Sequence, residues 1–491
     1  MKDKENIKRN KKQDNLQDTS DTEKQNKKNK NIYKKNSNSI KDQKSDDLKN
    51  ENEITFDDFI IHKTLKENLK KNNFENPTEI QKKTIPAILE SHDVISIAKT
   101  GSGKTICFVV PIISRILENF NEDDKLSALI ITPTRELAVQ TYELIKKLTV
   151  NTKIKSFNVI GGIKFKKETY HVEAAHILIC TPGRLLQHFS ELPNLRTELL
   201  DVLVLDEFDK MIELGFKEAI KDIIEYLPDT QRVLLSATFK HCNFSQEIVK
   251  LTDPKIFSDF SKNDVTNFYK ILKSTEKINY LYSLLSHISK SDNRKVIVFF
   301  STCKGAKFHY LLFSKFFKDT FMLSSSVKQQ SRLKNYSQFR DMMSGILFCT
   351  DLAARGLDFP NVSTVIQFDC PDTPETYIHR IGRTARIGKS GSSFIFLLEK
   401  EERLLNFLEN INLEKSEIQQ TKIELAEIEK FGIRRLDTKL NGIFRNDREL
   451  KLFASKYRVT YKKVLMLNNK KFKVDVEEEI SQLRKYLGVY D

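Results

Sequence analysis

The chain has 491 residues, 39% of them hydrophobic, enough for two or three domains of roughly 100–200 residues with cores of their own. Lys and Arg number 82 against 67 Asp and Glu, and the surplus of 15 favours a polyanionic partner such as nucleic acid. No apolar run approaches the ~18–20 residues that span a bilayer, and the N-terminus lacks the apolar stretch of a secretory signal. A soluble, intracellular chain with no membrane partner is therefore expected.

Residues 1–50 are rich in Lys, Asn and Asp and poor in large apolar side chains. Such a segment cannot bury enough surface to offset its ordering entropy, which predicts a disordered tail. Its pairs Lys11-Lys12, Lys27-Lys28 and Lys34-Lys35 suit nuclear import or RNA contact, and equally a solvated tail. From Phe56 onward, short apolar runs alternate with amphipathic stretches. Strands are predicted at Asp93–Ala98, Ala128–Thr132, His176–Cys180, Val202–Leu205 and Arg232–Leu235. Each is followed by turn or cap residues and a helical pattern, which predicts a parallel sheet with helices on both faces.

The pattern breaks near Asp253–Asn267, and a linker is placed at 261–268. A second series has strands at Lys295–Phe300, Gly345–Cys349, Thr364–Phe368 and Ser392–Leu397. Two similar α/β domains are expected, at 51–260 and 269–420, with a helical extension at 421–491. The six cysteines are scattered without a CxxC pair and are expected to be reduced and buried, in neither a disulfide framework nor a zinc site.

Two motifs carry the chemistry. The first is the loop Ala98-Lys99-Thr100-Gly101-Ser102-Gly103-Lys104-Thr105, set between a strand and a helix. Gly101 and Gly103 let the backbone curl so that its N–H groups point at phosphates. Lys104 can reach β/γ-phosphates and Thr105 can bind Mg²⁺. The general phosphate-loop pattern has Gly where Ala98 stands, and a Gly-rich turn that merely opens a helix would read similarly. The second motif is Val204-Leu205-Asp206-Glu207-Phe208-Asp209, a strand ending in carboxylates. Mg²⁺ usually takes one or two carboxylates plus phosphate oxygens and waters. Asp206 is read as the metal partner, Glu207 as the base that orients the attacking water, and Asp209 as an internal contact.

With these motifs and those that follow, the stretch from about Phe56 to Leu398 resembles a DEAD-box RNA helicase of superfamily 2. The resemblance implies two tandem RecA-like domains, with ATP and Mg²⁺ as cofactors. Phe208 stands where the family has Ala, and is expected to alter packing without removing chemistry. Phe74-Glu75-Asn76-Pro77-Thr78-Glu79-Ile80-Gln81 resembles the adenine-reading motif, with Gln81 pairing to adenine and Phe56 or Phe74 stacking on it. Asn73 replaces a usual Gly. Read alone, the same stretch is a helix start capped by Thr78.

Pro133-Thr134-Arg135-Glu136-Leu137-Ala138, Gly161-Gly162 and Thr181-Pro182-Gly183-Arg184 resemble first-domain RNA contacts. Thr134, Arg135, Gly161, Gly162, Thr181 and Arg184 suit a phosphate backbone as cations, hydroxyl donors and close-approaching N–H groups. Each motif, read alone, is also an ordinary strand-to-helix turn. Ser236-Ala237-Thr238 resembles the element that couples hydrolysis to strand separation, its hydroxyls bonding Asp209. In the second domain, Arg383 and Arg386 resemble arginine fingers and Asp358 the ribose contact. Thr350, Arg355 and Arg332 resemble RNA contacts. Ala385 replaces a usual Gly, and Leu323-Ser324-Ser325 replaces a common Leu-His-Gly.

The implied mechanism has the domains apart when empty and closed by ATP and RNA. The tail string Phe453–Tyr461 and the late motifs look like ribosome-assembly members. That implies pre-rRNA, small nucleolar RNA and pre-ribosomal proteins as partners, a monomeric core, and a nuclear, nucleolar location. The specific likeness is to guide-RNA release in small-subunit processing, with a large-subunit assembly helicase as the rival. An ATP-gated RNA clamp with little unwinding is the reading from another functional class.

Overall fold

The computed structural model describes residues 54–487 except 100, 121–125, 163–164, 166–167, 192–196, 239–247, 260–264, 291–293, 352–356, 387–388, 406–420 and 423–435. The tail at 1–50, Thr100, Arg355 and Cys242 therefore lie outside the described residues.

The first sheet contains β1 (Val94–Ala98), β2 (Ala128–Ile131), β3 (Ser156–Val159), β4 (Ile177–Cys180), β5 (Val202–Leu205), β6 (Gln231–Ser236) and β7 (Lys255–Asp259). Their spatial order is β3-β4-β2-β5-β6-β1-β7, with parallel pairing. The second sheet contains β8 (Val265–Ile271), β9 (Lys295–Phe300), β10 (Thr320–Leu323), β11 (Gly345–Thr350), β12 (Val362–Gln367), β13 (Gly391–Leu397) and β14 (Thr421–Lys422). Its order, β10-β11-β9-β12-β13-β8-β14, repeats the first when β8 is counted as its first strand. The same topology is thus used twice.

Both faces of the first sheet are buried, because successive side chains on a strand point to opposite faces. Ile130, Val204 and Val233 enter one core, and Leu129, Leu203 and Leu234 the other. Five strands escape the sequence reading: β3, β7, β8, β10 and the two-residue β14. Of these, β3, β7 and β10 lie at or near sheet edges and carry polar or exposed residues, so they are held by backbone pairing more than by apolar pattern. The linker expected at 261–268 is corrected accordingly, since 265–268 belong to β8.

The helices that position the site are α1 (Glu79–Leu89), α2 (Lys104–Glu118), α3 (Arg135–Leu148), α4 (Phe208–Glu213), α5 (Gln329–Asp341) and α6 (Pro374–Ile381). The C-terminal extension supplies α7 (Arg448–Phe472) and α8 (Val476–Leu487). It is not a separate body. Leu450, Tyr457, Leu465 and Leu483 share one core with Val298, Phe308 and Phe348 of the second domain. The Tyr457 ring stacks on Phe308 with centroids 5.3 Å apart. The short β14 also pairs with β8, so the second sheet reaches past the expected boundary at 420. Of the described cysteines, Cys107, Cys180, Cys349 and Cys370 are buried, whereas Cys303, at the start of a helix, is partly exposed.

Candidate functional site

Strands β5, β6 and β1 are adjacent and parallel, so their C-terminal ends deliver three sequence-distant segments to one place. After β1 the chain enters the phosphate-loop motif. Gly101 and Gly103 have φ of 85° and 83°, a left-handed conformation that glycine adopts without steric cost. A Cβ on Gly103 would also overlap the Gln81 carboxamide. The Lys104 ammonium is buried in the loop and donates to the carbonyls of Ala98 and Lys99, the latter at 2.9 Å. Burial pulls its pKa down, opposed by Asp206, Glu207 and Asp209.

The N-terminus of α1 is strapped to this loop. Gln81 Nε2 donates to the Gly103 carbonyl at 2.9 Å, and Thr78 Oγ1 to that of Ser102 at 2.9 Å. Gln81 Oε1 accepts from the Thr78 N–H. One donor and one acceptor function of the amide are thus engaged, leaving capacity for one more bond of each kind. Of the two aromatic candidates, Phe56 is corrected: it is 3% exposed and packs in the core against Phe59, so its face is unavailable. Phe74 is half-buried at the margin of the same core.

At the end of β5, Asp206 is 3% exposed and accepts from the Glu207 N–H at 2.9 Å. Its pKa is pushed up to about 7 by burial and then by the Glu207 charge, with Lys104 opposing. Glu207 is buried in a left-handed turn, φ 52°, immediately before α4. Phe208 turns away into the apolar core beside Met211 and Ile220, so the aromatic is a packing residue. Asp209 Oδ2 accepts from the Ala237 N–H at 3.0 Å and from Thr238 Oγ1 at 3.3 Å. The expected Ser236 bond to Asp209 is corrected. Ser236 Oγ instead donates to the Thr238 carbonyl and accepts the Thr238 N–H, closing its own turn.

The second domain meets this site through the segment after α6. The stem of Arg386 lies against Gly101, where an added Cβ would be 2.6 Å from its Cγ. Its guanidinium pairs with Asp358 Oδ1 at 2.5 Å. Arg383 is buried and donates to the carbonyls of Leu357 and His379. Arg380, the third arginine, forms a two-point pair with Asp351 at 2.7 and 2.8 Å, anchoring the segment.

The expected RNA residues fall into groups. The Arg135 guanidinium sits over Gly161 and Gly162, where a Cβ on either would lie 2.8 Å from it. Thr134 caps α3 through the Leu137 N–H. Arg184, just after Thr181, is held by Glu168 at 2.9 Å, which also meets His188 at 3.1 Å. The Thr350 hydroxyl is buried with no hydrogen-bond partner among the described residues. Arg332, expected at the RNA backbone, is turned toward the first domain. It pairs with Glu136 of the first domain at 2.8 Å, and Gln329 donates to the same carboxylate at 2.9 Å.

That pairing belongs to a polar seam between α3 and α5 which the sequence reading missed. Arg340 meets Glu143 at 2.5 Å, and Tyr336 Oη meets Gln140 at 3.4 Å. Residues three and four apart share a helix face, and the spacing of Glu136, Gln140 and Glu143 against Arg332, Tyr336 and Arg340 carries that signal. The sequence supplies two such stripes and no statement that they face each other.

A family model described as DEAD/DEAH box helicase matches residues 78–245, and one described as helicase conserved C-terminal domain matches 276–388. The chain is 40% identical to ATP-dependent RNA helicase DBP4 of Encephalitozoon cuniculi, over 89% of this chain and 99% of that protein. It is 37% identical to the probable ATP-dependent RNA helicase DDX10 of Homo sapiens over 87% of this chain, but spans only 49% of that longer protein. Among solved structures, the DEAD-box helicase Mss116 bound to ssRNA and UDP-BeF has a TM-score of 0.76 at 28% identity, covering 89% of this chain and 92% of that one. S. cerevisiae Dbp5 bound to RNA and ADP BeF3 has a TM-score of 0.68 at 26% identity, covering 77% and 98%. The chain belongs to the DEAD-box family of ATP-dependent RNA helicases.

Proposed function

We propose that this chain hydrolyses ATP with Mg²⁺ when RNA holds its two domains together, and that closure separates short RNA duplexes locally. The observation that carries the reading is Arg386 of the second domain resting on Gly101 of the phosphate loop, beside the acids of β5. Only a closed pair of domains brings a cation from one to the loop of the other.

The residues fit the implied metal. Asp206 is a buried carboxylate whose charge is disfavoured by burial, so a cation beside it would be strongly bound. No cluster of three or more metal-ligating side chains exists among the described residues, and Mg²⁺ commonly leaves most of its positions to phosphate and water. Asp206 and Thr105 would hold it. When bound, Mg²⁺ neutralises charge on the phosphate oxygens.

The chain's own groups do the rest. Lys104 and the N–H groups from Lys99 to Gly103 hold phosphate. Glu207 orients water. Arg383 and Arg386 stabilise charge at the γ-phosphate, which ties catalysis to closure. Gln81 and Phe74 hold the adenine and Asp358 the ribose. Asp209 and Thr238 carry the change to the RNA side. RNA lies along Thr134, Arg135, Gly161, Gly162, Thr181 and Arg184, then Thr350 and Arg355. Such backbone contacts carry little sequence information, so selectivity falls to the tails or partners.

The proposed setting is pre-rRNA processing in the nucleolus, with small nucleolar RNA and pre-ribosomal proteins as partners. It rests on the likeness of the C-terminal string and late motifs to ribosome-assembly members. The seam between α3 and α5 favours, as a second reading, an ATP-gated clamp that holds RNA for long periods.

Glu207→Gln tests the chemistry. It is expected to retain ATP and RNA binding and to lose about 10²–10⁴-fold in kcat. Unimpaired RNA-stimulated turnover would remove Glu207 from its role. Strand displacement measured beside RNA retention separates unwinding from clamping. Crosslinking in cells with sequencing of the attached RNA tests the setting, where recovery of mRNA without pre-rRNA or small nucleolar RNA would overturn it.

A further inference from the structure

Helix α7 packs one face into the second-domain core through Leu450, Ala454, Tyr457, Tyr461, Leu465 and Phe472. Its opposite face bears a second pattern that the core does not use. Leu452, Val459 and Met466 are 50%, 51% and 48% exposed. They recur every seven residues, so they lie on nearly one line at about 10.5 Å intervals for a rise of 1.5 Å per residue. Between and beyond them on the same line stand Lys456, Lys463 and Lys470, all exposed. The outward ridge therefore alternates apolar and cationic side chains over five turns. Glu449, the one acid of α7, pairs with Lys307 at 3.5 Å, and Glu477 of α8 is engaged by Lys462 at 2.6 Å.

We infer that this ridge is the docking surface for an acidic amphipathic helix of a partner protein. Apolar residues at seven-residue spacing match one seam position of a second helix, and the lysines four residues on fill the other, where their charge selects the partner's sign. Three lysines with no acid interleaved select Glu or Asp. An RNA backbone would repay the lysines but not three half-exposed apolar side chains. The chain's own N-terminal tail is Lys-rich, which sets its charge against the ridge.

The test uses the full chain and a synthetic peptide of about four heptads, with Leu and Glu at alternate seam positions. Its binding is read by fluorescence anisotropy. The peptide is expected to bind the parent chain and to lose at least about tenfold in affinity to the triple variant Lys456→Glu, Lys463→Glu, Lys470→Glu. A companion peptide with Lys in place of Glu is expected to prefer that triple variant. Leu452→Ser with Val459→Ser and Met466→Ser is expected to weaken both pairings by a similar factor. RNA-stimulated ATPase should match the parent in each variant, which shows that the core is folded. Failure of the acidic peptide to bind the parent would overturn the proposal. So would binding that survives the serine changes, the behaviour expected of a purely electrostatic, nucleic-acid-like ligand.

Discussion

Gln140 Oε1, on helix α3 of the first domain, accepts a hydrogen bond from the Asp358 backbone N–H of the second at 2.6 Å. The Asp358 carboxylate in turn holds Arg386, whose stem lies on Gly101. Helix α3 starts at Thr134 and Arg135, the proposed RNA end. One short chain of contacts thus joins that helix to the cation beside the phosphate loop.

Gln140→Ala is expected to lower RNA-stimulated kcat several-fold while leaving ATP binding nearly unchanged. The lost contacts are the Asp358 N–H bond at 2.6 Å, worth about 1 kcal/mol net, and the longer bond from Tyr336 Oη at 3.4 Å. Steady-state ATPase against RNA concentration, beside nucleotide-binding titrations, checks it. Equal losses in both measurements would mean that Gln140 supports the fold instead of closure.

Arg332 and Glu136 can be tested as a pair. Each single change, Arg332→Ala or Glu136→Ala, should weaken closure. In a double-mutant cycle on RNA affinity in the presence of a non-hydrolysable ATP analogue, the coupling should be about 0.5–3 kcal/mol. Additive losses would assign Arg332 to RNA instead of the seam.

The raised pKa of Asp206 carries a pH dependence of stability. Its folded value, about 7, lies above the ordinary carboxylate value of 3.8, so the folded state binds the extra proton between them. The stabilising contribution is complete below the lower value and is lost as pH rises through the higher one. Asp206→Asn removes this loss. In thermal melts without nucleotide or metal, the variant should gain on the parent as pH rises from about 4 to about 7, yet hydrolyse no ATP. A gap independent of pH would contradict it.

Gly103→Ala meets two obstacles at once: a left-handed φ, costing about 1–2 kcal/mol, and overlap with the Gln81 amide. The expected result is a raised KM for ATP and loosening of α1 from the loop, measured by hydrogen exchange at Thr78–Gln81. Protection equal to the parent would show that the strap survives.

Leu465→Ala, in the core shared by α7 and the second domain, should cost about 2–5 kcal/mol. Denaturant unfolding checks this. A loss confined to the extension, with the second domain unfolding as in the parent, would contradict the single core.

Much of the site was legible because its residues are contiguous. The loop from Ala98 to Thr105 and the acids from Asp206 to Asp209 announce their chemistry through local spacing, and each follows an apolar strand that could be read directly. The edge strands were not legible. β7 is largely exposed and has no apolar alternation, and its place is set by ladder bonds to β1 that no side-chain pattern reports. Phe56 illustrates a different limit: an aromatic residue reads the same whether it faces a ligand or a core.

The sequence by itself determined the repeated α/β architecture, the nucleotide loop and the acidic strand end, because these depend on short-range periodicity and spacing, and its motifs carried the resemblance to the family. Only the tertiary structure decided which charges meet. Arg386 with Asp358, Arg332 with Glu136 and Arg184 with Glu168 are pairs made by strand order and domain contact. A guanidinium carries the same charge whether it serves RNA, ATP or a carboxylate, and its partner is fixed by position in space, which spacing along the chain does not encode.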